Sequence, residues 1–150
     1  MGADTTQDEV LIMKKIFLLA LAVVLLYAAV NHKFLLAMAY LHDSDPSNDT
    51  TAVALLEDAK RNSHDVKSAF LLGYYYKTKK YHALNPSKSH QNYLYAASRG
   101  DQEAKMLVAW NFYKGIGCKK SIKRSKKLLT ELAIGGNDKA KEILKFVMRH

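Results

Sequence analysis

A short pattern recurring with a step of 36 residues constrains this chain more than any other feature. Leu36-Ala37-Met38-Ala39-Tyr40 returns as Leu72-Gly73-Tyr74-Tyr75-Tyr76, and again as Val108-Ala109-Trp110-Asn111-Phe112. Each copy reads large apolar, tiny, two variable residues, aromatic. The large apolar residue and the aromatic four positions later share one face of a helix. The tiny residue lets a neighbouring helix approach closely. Other positions keep the same step: Ser68, Ala104 and Ala140 are small, and Asp49, Asn85 and Ser121 are short and polar.

The second half of each unit is again helical in pattern. Ala52, Leu55, Leu56 and Ala59 mark one stripe; Ser89, Tyr93, Ala96 and Ala97 mark the next; Ser125, Leu128, Leu129, Leu132 and Ala133 mark the third. Gly100 and Gly136 suit the left-handed residue that follows a helix. Asp49 and Asn85 suit N-caps, and Pro86 suits a first helical turn. Each unit is therefore a helix–turn–helix hairpin. One hairpin cannot bury its own apolar face, whereas stacked hairpins can. The expected fold is all-α: a short α-solenoid of three hairpins from about residue 31 to residue 136, preceded by an N-terminal apolar helix. A last helix, Asp138 to Met148, carries Ile143, Leu144 and Val147 inward and covers the end.

Composition agrees. Apolar residues make up 49% of the chain, too many for a disordered polymer, while seven Gly and two Pro are too few for many tight turns. A single cysteine, Cys118, excludes an internal disulfide and a multi-thiolate metal site. The formal charge is +9, and from Asp101 onward 12 Lys or Arg face 5 Asp or Glu. That half would attract acidic protein or anionic lipid, although a solvated lysine-rich helix surface explains the same composition.

The N-terminus reads as a separate part. Residues 1–12 are polar and acidic; Lys14 and Lys15 then precede Ile16 to Val30, fifteen residues without a charge. This is the layout of an export signal, with Met13 rather than Met1 as an alternative start. The other reading is an uncleaved anchor within residues 13–30, short against the roughly 20 residues a bilayer needs. Ala37-Met38-Ala39 has the form of a cleavage site but belongs to the repeat, so anchoring is preferred to cleavage. Lysines before the span place residues 31–150 outside the cytoplasm, on the periplasmic side, or secreted if the signal is cut.

The repeat resembles the Sel-one-like (SLR) family, a relative of the tetratricopeptide repeat. Its third unit carries the likeness best, through Ala104, Val108, Ala109, Phe112, Gly115, Gly117, Leu128, Leu129, Ala133 and Gly136. The second matches at Ser68, Leu72, Gly73, Tyr76, Lys88, Tyr93, Ala96, Ala97 and Gly100, but has Lys80-Tyr81-His82 where paired glycines are usual. The first keeps Leu36, Ala37, Tyr40 and Asp49. The resemblance covers roughly 120 residues and implies a right-handed α-solenoid acting as an adaptor or scaffold, often in bacterial envelopes. It brings no catalytic residue and no cofactor.

The residues themselves support the same class. No two of the six histidines stand four apart on a helix, no carboxylate joins them in a ligand pattern, and all read as solvated loop groups. Cys118 follows Gly115-Ile116-Gly117 without a nearby base, so a hydrolase using this thiol is a weak alternative to a packed side chain. Lys119, Lys120, Lys123, Arg124, Lys126 and Lys127 concentrate six cations in nine residues, an alternative docking surface for anionic lipid or an acidic polymer. Nucleic acid is not expected for a domain outside the cytoplasm. Within the repeat, Tyr76 and Tyr93 fall at core positions. Tyr74, Tyr75, Tyr95, Trp110 and Asn111 are the candidates for gripping a protein or peptide partner, since aromatic groups dominate such contacts.

Overall fold

The computed structural model describes residues 4–42, 46–78 and 84–149. Within them the chain is seven helices: α1 Asp4–His42, α2 Pro46–Asn62, α3 Val66–Lys77, α4 Pro86–Ser98, α5 Gln102–Lys114, α6 Ile122–Ile134 and α7 Asp138–Arg149. Each helix packs on the one before and the one after. The end of α1 pairs with α2, α3 with α4 and α5 with α6, and α7 closes the last hairpin.

The 36-residue step is a step in hydrogen bonding as well as in sequence. Asn85 N donates to Tyr76 O at 2.8 Å, and 36 residues on Ser121 N donates to Phe112 O at 2.7 Å. Asp101 N donates to Ala96 O at 3.2 Å, and Asn137 N to Leu132 O at 3.0 Å. Asp65, Asp101 and Asn137 are a further series at this spacing. Their side chains accept from Ser68 N, Ala104 N and Ala140 N, satisfying amides that a helix start leaves open. Asn85 and Ser121 cap α4 and α6 in the same way. Asp49 is not an N-cap: α2 begins at Pro46, so Asp49 lies in its first turn, where a carboxylate faces the positive end of the helix dipole.

Three clusters fill the spaces between hairpins. The first joins Ala37, Leu41, Ala52, Leu56, Leu72 and Tyr75; the second Ala69, Tyr93, Ala96, Ala104, Val108 and Phe112; the third Ala109, Tyr113, Leu129, Leu132, Ala140 and Val147. Leu72 and Val108 thus face the hairpin before them, and each is fully buried. Such burial contributes about 1.5–3 kcal/mol per side chain. The tiny residues face the helix that follows. A Cβ on Gly73 would meet the Tyr93 ring of α4 at 2.6 Å. In α7 the residue 36 after Ala109 is Lys145, and it is exposed.

α1 is one uninterrupted helix. It crosses the boundary expected between an apolar segment and the repeats because nothing from Asp4 to His42 is Gly or Pro. Asn31-His32-Lys33 does not break it, since Lys33 is drawn to Asp58 of α2. Large apolar side chains from Val10 to Leu25 are exposed along it. No helix, among the described residues, is long and apolar enough to cross a membrane. Ile122, at the start of α6, is 37% exposed, because the helix turns Ser125, Leu129 and Leu132 inward.

Candidate binding surface

The residues singled out for partner contact fall in different surroundings. Tyr74 of α3 is exposed. Its neighbour Tyr75 is buried in the first cluster, at 6% exposure, with its ring edge-on to Tyr76 at 5.2 Å. The core position is therefore Tyr75, and Tyr76 is only half-buried. Tyr95 of α4 is held between neighbours: its Oη donates to Lys60 O at 3.0 Å, and the Arg99 guanidinium lies 3.6 Å from its ring centre. Asn111 of α5 is buried, and its amide donates to Nδ1 of His90 at 3.4 Å.

Among the described histidines His90 alone is buried, on α4 and packed edge-on against Phe112 at 5.1 Å. Burial pushes its pKa below the usual value, so it stays neutral and can accept from Asn111. His82 lies outside the described residues.

Trp110 and Asn111 do come together, in a cleft of about 270 Å³ between α4 and α5. Leu107 of α5 and Pro86, Ser89 and Tyr93 of α4 line it with them, together with Lys77 at the end of α3, Leu84 and Ile116. Trp110 is half-buried, its ring 5.5 Å from Tyr113 and 6.2 Å from Phe146 of α7, with Lys114 Nζ 5.1 Å above it. Tyr93 is 1% exposed, and its Oη, enclosed with almost no accessible surface, makes no hydrogen bond among the described residues. Ser89 lies near enough to ease the phenol's ionisation, and its hydroxyl donates to Gly73 O at 2.7 Å. Burial chiefly, with Tyr74 and Glu103 adding to it, pushes the Tyr93 phenol far above its usual range, and it remains a neutral O–H.

Sequence reasoning placed Tyr93 in the core and passed over Leu107. The available signal was a mismatch: the residue 36 after Tyr93 is Leu129, so a hydroxyl stands where the repeat needs only an aliphatic group. A larger hollow along α1, lined by Val10, Met13, Lys14, Phe17 and Leu18, belongs to one helix and encloses nothing.

Among the cations, Lys119, Lys120, Lys123, Arg124 and Lys127 are exposed and Lys126 is half-buried. Arg124 lies 5.4 Å from the Phe112 ring centre and Lys120 5.9 Å from that of Tyr113. Cys118 is half-buried. Burial raises its thiol pKa against the opposing pull of Arg124, the opposite of an activated nucleophile. No group of three or more His, Cys, Asp or Glu side chains able to hold a metal ion occurs among the described residues.

Stacked hairpins define a helical-repeat solenoid. Two solved structures are similar to it. One, from uropathogenic Escherichia coli, is the protective antigen c5321, described as displaying an SLR fold: TM-score 0.66, 25% identity, 77% of this chain and 25% of that one covered. The other is a Sel1 repeat protein from Oxalobacter formigenes: TM-score 0.65, 28% identity, 77% of this chain and 87% of that one. The helical repeat of this chain is similar in fold to these SLR structures. It spans a quarter of the length of the first neighbour. No family model matches the sequence, and no curated protein does.

Proposed function

We propose that the chain is a non-catalytic scaffold that holds a segment of another protein against α5, a first helix, in its cleft with α4. The observation that carries this reading is that cleft, walled by Leu107 and Trp110 of α5 and by Tyr93 of α4. The SLR neighbours favour the same class, since stacked repeats offer extended binding faces.

The finer reading places this scaffold at a bacterial cell envelope, with the repeats outside the cytoplasm. Exposed large apolar side chains from Val10 to Leu25, preceded or joined by Lys14 and Lys15, favour membrane attachment through α1 over a solvated helix. The mass of the mature N-terminus from fractionated cells tells an anchor from a cleaved signal. Electrostatic docking through Lys119 to Lys127 is the second reading, favoured because none of these six cations has an ion-pair partner among the described residues.

Photo-crosslinking tests the main reading. A crosslinker replacing Leu107 should capture a partner, and one replacing Glu142 on the outer face of α7 should not. Equal capture from both positions would remove the first-helix surface from consideration. Attachment that collapses between low and high salt, regardless of crosslinker position, would favour the cationic surface instead.

A further inference from the structure

We infer that the cleft between α4 and α5 is selective for an acidic peptide segment carrying one bulky aliphatic side chain. This rests on the scaffold reading and names the chemistry of its partner.

Size comes first. A space of about 270 Å³ is below the roughly 300–1,000 Å³ of sites that enclose a cofactor or drug-sized ligand. It fits one side chain delivered by an extended segment that continues beyond the cleft. The apolar contact is supplied by Leu107 and the rings of Trp110 and Tyr93, which select an aliphatic group over a polar one.

Charge comes second. Lys77 lines the cleft at the end of α3, and Lys114 caps the Trp110 ring at the end of α5. Both are exposed, and neither has an ion-pair partner among the described residues. The carboxylate that bears on Tyr93 is Glu103, in the first turn of α5. It lies about 16 Å along the helix from Lys114 at 1.5 Å per residue. The cleft therefore has a cationic mouth at one end, and carboxylates flanking the aliphatic residue would face it.

Trp110 is the chain's single tryptophan, so its emission reports the cleft directly. The probe is acetyl-Asp-Asp-Leu-Asp-Asp-amide, titrated into the full-length protein. Saturable change in Trp110 emission is expected. It should weaken about tenfold when Leu becomes Ala, and weaken comparably when the four Asp become Asn. Equal affinity for the Asp and Asn peptides, or for the Leu and Ala peptides, overturns the inference. Should the peptides fail while Leu107 still crosslinks a protein, the acidic-aliphatic chemistry falls and the first-helix surface stands. Should both fail, the scaffold reading falls with it.

Discussion

Adding one methyl group at Gly73 tests how the repeats fit together. A Cβ there would lie 2.6 and 2.7 Å from two ring carbons of Tyr93. Carbon pairs prefer about 3.5–4.0 Å. Tyr93 is wedged into the second cluster and cannot yield without leaving it. Overpacking of this kind costs about 1–3 kcal/mol. Alanine in a helix interior returns about 1 kcal/mol relative to glycine. Gly73→Ala should therefore destabilise by about 1 kcal/mol net. One repeat later the chain has already solved the same problem differently, with Ala109 and Leu129 together in the third cluster. Tyr93→Leu alone leaves a gap beside Gly73 and should cost about 2–3 kcal/mol. The double variant should cost less than the two single costs combined, by about 1 kcal/mol or more. Urea unfolding followed by far-ultraviolet circular dichroism measures all four proteins. With a slope of about 1–3 kcal/mol per molar, each kcal/mol moves the midpoint by roughly 0.3–1 M. Costs that add to within about 0.5 kcal/mol would refute the pairing of tiny residue and opposing ring.

Two further outcomes follow from the same geometry. Gly117 has φ +68°, and a Cβ there would fall 1.9 Å from the Pro86 carbonyl oxygen, a backbone atom that cannot move aside. Gly117→Ala should cost about 3 kcal/mol or more in the same unfolding experiment, and a loss under 1 kcal/mol would show that the turn does not seat on α4 as described. His90 is held below its ordinary value of about 6.5 by burial, so the unfolded chain binds a proton that the folded chain refuses. Its contribution to stability is intact above that pH and is lost as pH falls through it. His90→Gln should flatten the drop in urea midpoint between pH 7.5 and 5.5. Glu131, Asp58 and Asp138, whose pKa values are lowered chiefly by hydrogen bonds from Lys105, Lys33 and Lys141, titrate below this window. An unchanged slope in His90→Gln would mean the imidazole is not shielded.

Much of the architecture was written in spacing. Leu72 and Val108 are buried where the step of 36 put them, and Ala37, Gly73 and Ala109 meet the next helix as their size requires. A period fixes which residues are equivalent. It does not fix how far a helix is rotated within its unit. That is why Tyr75 rather than Tyr76 fills the first cluster, and why Ile122 stands outside while Ser125 goes in. The binding cleft was half legible. Trp110 and Asn111 were found as variable positions beside a conserved pattern of sizes. Tyr93 was read as core alone, because a sequence cannot say that a buried ring also borders a cleft between α4 and α5.

The lysine at position 145 changes what α7 offers its surroundings. At positions 73 and 109 a tiny residue lets the second helix of the same hairpin lie close. Lys145 is exposed at the equivalent place, and its ammonium would have to be stripped of water before another helix could lie as close there.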